Sequence, residues 1–276
     1  VAGVLYIVGT PIGNLEDLSI RAQKILQSVS AVACEDTRQS SKLMAAAGAH
    51  RPLLSLHEHN ESQRCQELVD RIRNGEDIAL ISDAGTPLIS DPGYRLVEAA
   101  VAAGIKVSPI PGASAVLSAL SVSGLPTDQF AFLGFLPHKT VARRKVLEQW
   151  AQIEATLVCF ESPHRILESL EDLAALWPTR TIAACRELTK IHEEVLRGTA
   201  DQIRTQLKTR PAIKGEFTLV IDRANEAVLA NPLNLKEEVQ RLLDSGLSRM
   251  EAIKLAAKQA GLNKRAAYDL LEKEKG

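Results

Sequence analysis

Val4-Leu-Tyr-Ile-Val8 runs directly into Gly9-Thr-Pro-Ile-Gly-Asn14, and this stretch decides the fold. Five consecutive apolar residues closed by a glycine suit a strand buried on both faces, as in a parallel sheet. The pattern recurs at Ile78-Ala-Leu-Ile81, which leads into Ser82-Asp-Ala-Gly-Thr-Pro87, and at Ile105 to Ser108, which leads into Pro109-Ile-Pro-Gly-Ala-Ser114. Val29 to Cys34 is a further apolar run. Helical patterns lie between them. Ser19 is placed to cap a helix carrying Ile20, Ile25 and Leu26; Glu61 to Arg73 is amphipathic and stops at Asn74-Gly75; Tyr94 to Ala103 stops at Gly104. Such βαβα alternation predicts an α/β fold with a mostly parallel sheet.

A second set of elements follows. Phe130 to Gly134, Thr156 to Phe160, Thr181 to Cys185 and Phe217 to Asp222 read as strands, and Arg165 to Leu176 as a helix closed by Trp177-Pro178. Gly124-Leu-Pro-Thr-Asp128 is the hinge between the halves. The predicted organisation is an N-terminal α/β domain over 1–125, a second α/β domain over 126–223, a linker over 224–234 and a small helical domain over 235–276.

Composition bounds the function. Of 276 residues 45% are hydrophobic and 24% charged, enough for a sizeable core and against wholesale disorder. The net charge of −1 means that any nucleic-acid surface must be a local patch. Cys34, Cys65, Cys159 and Cys185 form no C-x-x-C pair and are expected to be reduced, mostly buried thiols. No apolar run approaches the roughly 18 residues of a membrane span, and the first residues lack the pattern of a signal peptide. The expectation is a soluble cytoplasmic protein without a membrane partner.

Three glycine-rich loops at neighbouring strand ends mark the expected site, because ligands of open α/β sheets bind beyond the carboxyl ends of the strands. The loops are Gly9 to Asn14, Ser82 to Pro87 with Ser90-Asp-Pro-Gly93, and Pro109 to Ser114. Neither G-x-x-x-x-G-K-[ST] nor a strand-following G-x-G-x-x-G is present, which weakens P-loop and dehydrogenase readings. Gly112-Ala-Ser-Ala-Val116 misses the hydrolase motif G-x-S-x-G at its second glycine. His57-Glu-His-Asn-Glu61 fails as H-E-x-x-H and reads as a solvated polar loop, so no metal is expected.

A family resemblance spans nearly the whole chain up to about Asp222. Val8-Gly-Thr-Pro-Ile-Gly-Asn-Leu-Glu-Asp-Leu-Ser19, Cys34-Glu-Asp-Thr-Arg38, Ser82-Asp-Ala-Gly-Thr-Pro87, Ser90-Asp-Pro-Gly93 and Pro111-Gly-Ala-Ser114 resemble the tetrapyrrole-methylase superfamily. Phe132-Leu-Gly-Phe-Leu-Pro137, Phe160-Glu-Ser-Pro-His-Arg165, Arg186-Glu-Leu-Thr-Lys190 and Lys214-Gly-Glu-Phe217 extend the likeness, and within the superfamily the segments resemble the branch acting on small-subunit ribosomal RNA. The resemblance implies two α/β domains with S-adenosyl-L-methionine in the cleft between them, and a homodimer. It also implies methylation of the 2′-hydroxyl of a cytidine in 16S rRNA of the small ribosomal subunit. Carried over by position, Thr10, Pro11, Asp83, Ala84, Gly85, Thr86, Ser114 and Ala115 would line the cofactor from the first domain. Phe160, Glu161, Leu188 and Gly215 would do so from the second, with plain core packing the competing role for Phe160 and Leu188.

A hydroxyl nucleophile calls for alignment and a general base. Glu35, Asp36, Glu187 and Lys190 are candidates, against a role in fixing loops through ion pairs, and the sequence does not choose among them. For RNA contact, Lys139, Arg143, Arg144 and Lys145 lie together without an acid, as phosphate ligands or as a solvated helix face. Leu247 to Tyr268 resembles a helix-turn-helix with a basic surplus that includes Lys258, Lys264 and Arg265, suited to RNA or to a second subunit. Two other readings compete: a methylase of a small tetrapyrrole, and a non-enzymatic nucleic-acid-binding regulator.

Overall fold

The computed structural model describes residues 1–57, 60–224 and 232–259, together with positions 267, 270 and 271. The first sheet is built from β1 (Val4–Val8), β2 (Ala31–Cys34), β3 (Leu53–Ser55), β4 (Ile78–Leu80) and β5 (Lys106–Ile110) in the order β3-β2-β4-β1-β5. Every pairing is parallel. Alternate strand residues point to opposite faces, and both faces are covered. Val8, Val32 and Ala79 pack under α1 (Ile20–Ser28) and α2 (Thr37–Ala46). Leu5, Ala33, Ile78 and Leu80 pack under α3 (Glu61–Arg73) and α4 (Tyr94–Ala102). Ser19 caps α1 as its position suggests, its Oγ accepting from the Ala22 N–H at 3.1 Å.

The second sheet holds β6 (Phe130–Phe135), β7 (Thr156–Glu161), β8 (Thr181–Arg186), β9 (Glu194–Thr199) and β10 (Phe217–Ile221) in the order β6-β7-β10-β8-β9. Only β6 and β7 run parallel; β10 is inserted antiparallel between β7 and β8, and β9 closes the edge antiparallel to β8. The sequence reading did not anticipate β3 or β9. One face packs on α6 (Thr140–Gln149), α7 (Ile166–Leu176) and α8 (Ala200–Lys208). The other receives α5 (Ala115–Ser123): Val116, Ala119 and Leu120 pack with Val158, Ala183, Cys185 and Val220. A helix that follows a strand of the first sheet therefore buries its apolar side on the second, which sets the glycine loops opposite that second sheet.

Charge reading fails at two places. Arg143, expected on a basic surface, is buried, 1% exposed, and donates from Nε to Asp172 at 2.6 Å and from Nη1 to the carbonyls of Pro137 and His138. It is a structural cation, not a phosphate ligand. Glu61, expected in a solvated loop, is also buried and accepts from the N–H groups of Gly93 and Arg95 at the start of α4. The four cysteines are buried free thiols, as expected. Among the described residues there is no helix long and apolar enough to cross a membrane, and no cluster able to hold a metal ion.

At the C-terminal end, α9 (Pro232–Asp244) and α10 (Arg249–Gln259) pack Leu235, Val239 and Leu242 against Ala252, Ile253 and Ala256. Ser248 and Glu251 bond each other's backbone N–H and side chain at the start of α10, the capped helix the sequence suggests. The side chain of Lys258, and Lys264 and Arg265, fall outside the described residues.

Candidate active site

The three loops meet. Thr10 and Gly85 exchange backbone hydrogen bonds at 2.8 and 3.1 Å, and the Thr10 hydroxyl lies 3.2 Å from the carbonyls of Ser82 and Gly85. Gly9 and Gly112 touch through their backbones: a Cβ on Gly112 would stand 2.6 Å from the Gly9 carbonyl oxygen. Only glycines at both positions permit this approach. Among the described residues, four non-glycine residues have positive φ, Leu88, Ser90, Glu187 and Thr189, and all sit in two loops facing the same space. Strain of that kind is held only where the surroundings over-determine it, and it gathers at functional sites.

That space is a cavity of about 530 Å³ between the glycine loops and the second sheet. One wall is apolar, with Ile12, Ala115, Val116, Phe160 and Leu188. A second wall is acidic, with Glu35, Asp83 and Asp91 from the loops after β2 and β4. Partial burial, opposed by an N–H of Asp36 and aided by the Asp36 charge, raises the Asp83 carboxyl above the usual range. Asp91 goes further: burial, then the Glu35 charge, push it up to about 6 against a hydrogen bond from Ser82. A third side carries Lys190, whose Nζ reaches Glu187 Oε1 at 2.8 Å and Glu216 Oε2 at 3.0 Å and whose stem lies over Gly13. Burial opposes charge on both partners, but their pairing prevails. Lys190 is held above its ordinary value, and Glu187, which also accepts from the Glu216 N–H, below its own.

A glycine-tied loop cluster, an acidic wall and a strained second loop describe a site but not a lineage, and comparison with known proteins supplies that. Residues 4–204 match the model of the Tetrapyrrole (Corrin/Porphyrin) Methylases. The chain belongs to the tetrapyrrole methylase family. The proteins named Ribosomal RNA small subunit methyltransferase I from Xylella fastidiosa and Halalkalibacterium halodurans are 48% and 43% identical to it. The first alignment covers 96% of this chain and 98% of the relative, the second 99% and 96%. Among solved structures, diphthine synthase superposes with a TM-score of 0.63 at 15% identity, covering 79% of this chain and 89% of that one. Uroporphyrin-III-C-methyltransferase from Thermus thermophilus gives 0.56 at 22% identity, covering 80% and 95%. At such identities the structures speak for the fold alone.

In this tetrapyrrole methylase, Asp83, Ala84, Gly85, Thr86, Ser114, Ala115, Phe160, Glu161 and Leu188 all line the cavity, as do the base candidates Glu35, Glu187 and Lys190. Phe160 and Leu188 also pack in the core between α5 and the second sheet. Thr10, Pro11 and Gly215 do not line it. Thr10 ties the loops together from behind, and Gly215 makes room for Glu187. Asp36 stands outside, capping α2 and paired with Arg38. Glu161 is buried with both oxygens engaged, Oε1 by Arg165 and the Ser162 N–H and Oε2 by Ser169. Asp91, inside a quoted motif but assigned no role in the sequence reading, lines the cavity as well.

The Gly9–Gly112 contact carries a direct expectation. Gly112→Ala forces the two loops apart, with an overpacking cost of about 1–3 kcal/mol. Cofactor affinity measured by calorimetry should fall at least tenfold, and unchanged affinity would show that the contact does not shape the site.

Proposed function

We propose that this chain transfers the methyl group of S-adenosyl-L-methionine to the 2′-hydroxyl of a cytidine in the 16S rRNA of the small ribosomal subunit. The observation that carries the reading is the full-length similarity, at 43–48% identity, to relatives named Ribosomal RNA small subunit methyltransferase I. The cytidine and the 2′-oxygen rest on the sequence resemblance. A cytoplasmic homodimer, where ribosomal subunits are made, fits the same reading.

The cavity fits the cofactor. Its acidic wall suits a sulfonium and an ammonium, its apolar wall suits an adenosine, and the first-turn N–H groups of α5 near Ser114 suit a carboxylate. When bound, S-adenosyl-L-methionine supplies the electrophilic methyl group. The protein's own work is alignment and proton removal. Lys190, held protonated by two carboxylates, is no base; Glu187 is committed to Lys190, and Asp36 stands outside the cavity. Asp91 lines the cavity and holds its proton more strongly than an ordinary carboxylate while remaining mostly ionised near neutrality. It is our choice for the group that accepts the hydroxyl proton. Outside the cavity, Lys139 and Lys145 are exposed and Arg144 is half-exposed, at and within α6 directly after Phe135, so they suit phosphates.

The test is methyl transfer from labelled cofactor to purified small subunits lacking the modification, followed by nucleoside analysis. The expected product is 2′-O-methylcytidine. A Lys139/Arg144/Lys145→Ala variant should bind subunits more weakly with a log–log salt slope lower by roughly 2–3. Label entering a small tetrapyrrole and not RNA would replace this reading with the tetrapyrrole one.

A further inference from the structure

We infer that Phe135 is the platform on which the ring of the target nucleobase stacks when its ribose enters the cavity, an inference that rests on the rRNA reading above. Phe135 lines the cavity and is 57% exposed, so its ring is open to a molecule that enters there.

Its placement is built into the strand. Pairing of β6 with β7 runs in step to Phe132↔Val158 and resumes at Phe135↔Phe160, so β6 advances three residues while β7 advances two. The extra residue is a bulge, and Gly134 within it has a φ of +67°. The bulge reverses the alternation of side chains, which brings Phe135 onto the face that carries Phe132 and Phe160. The three rings form a ladder: Phe132 to Phe160 at 4.9 Å and 66°, then Phe160 to Phe135 at 5.4 Å and 60°. Phe132 and Phe160 close the inner part of the ladder against α5, and Phe135 is its outer rung.

The surroundings fit a nucleotide. A Cβ at Gly134 would lie 3.6 Å from Ser90 Oγ, so the bulge faces the strained loop that holds Ile89, a second exposed apolar side chain on the cavity, and Asp91. The backbone after Phe135 is pinned: Arg165 donates to the Leu136 carbonyl at 3.0 Å, and Arg143 to those of Pro137 and His138. Lys139 and α6 follow at once, with Lys145 exposed. A rigid aromatic face thus stands between a proton acceptor and a run of cations. A nucleotide presenting its 2′-hydroxyl to Asp91 must leave its neighbours' stack, and an aromatic face replaces what it loses.

The experiment compares wild type with Phe135→Ala, Phe135→Leu and Phe135→Tyr on unmodified small subunits, with cofactor affinity measured on each by calorimetry. Phe135→Ala should raise the subunit concentration for half-maximal rate by roughly 10- to 100-fold. Phe135→Leu, apolar but without a π face, should stay impaired, and Phe135→Tyr should be close to wild type. Cofactor affinity should hold in all three, which also reports that they fold. Alanine or leucine variants as good as wild type would overturn the inference. So would an equal loss of cofactor affinity, which would assign the ring to the adenine. Wild-type protein inactive on subunits would instead bring down the rRNA reading, and this inference with it.

Discussion

Arg143→Ala is expected to cost about 3–5 kcal/mol of folding stability, the usual penalty for stripping one partner from a buried ion pair. Asp172 is itself only 2% exposed, and one of its oxygens is held by Arg143 Nε at 2.6 Å. The other accepts from Arg144 Nε at 2.7 Å, from a side chain 43% exposed. Removing Arg143 leaves a carboxylate in the core with one half-solvated partner, and leaves the carbonyls of Pro137 and His138 without their donor. The check is a urea titration, in which the midpoint should drop at unchanged slope. Arg144→Ala should cost about 1 kcal/mol, the ordinary yield of a partly exposed pair. The two arginines are neighbours in sequence with opposite duties, so the salt slope of subunit binding should respond to Arg144→Ala and ignore Arg143→Ala. A slope that moves with Arg143 would return it to the phosphate surface.

The same pair shows what one-dimensional reading reaches. Features whose physics is local were legible: the apolar run of β1, the cap at Ser19, and the glycine loops whose spacing after strands announces a site. What depends on a distant partner was not. Arg143 reads as surface charge until Asp172, on another helix, accounts for it. Glu61 reads as solvated until the start of α4 arrives above it. The strand β9, Glu-Val-Leu-Arg-Gly-Thr over 194–199, has no clear alternation, and it exists as a strand by pairing with β8 and by the Arg210 fork on Glu194. Nothing local places β10 antiparallel between β7 and β8. Asp91 belongs with these, since its proton affinity is set by burial and by Glu35 from a different strand end.

That origin makes Asp91→Asn the most informative substitution in the cavity. Methyl transfer should fall roughly 10²–10⁴-fold, the span that general bases contribute, while cofactor binding weakens by much less, because the substitution is nearly isosteric but removes one of the three carboxylates facing the cationic cofactor. In wild type, kcat/KM for S-adenosyl-L-methionine should rise with unit slope and level off above about pH 6, where the Asp91 carboxyl is ionised. The kcat profile should turn at lower pH, because the cationic cofactor favours the carboxylate. In Asp91→Asn both limbs should disappear. Stability should move the other way. The folded-state value of about 6 lies above the 3.8 of an unperturbed aspartate, so between those pH values the folded chain holds more protons than the unfolded one. Stability attributable to this group is therefore greatest below pH 4 and is lost as pH rises through 6. Asp91→Asn removes that loss, so its Tm should exceed that of wild type above pH 6 and converge with it below pH 4. An enzyme that is slower and more heat-resistant at neutral pH is the signature of a carboxylate kept in an unfavourable place for its chemistry. A variant that keeps its activity, or keeps its pH limb while losing rate, would move the proton acceptor to Glu35.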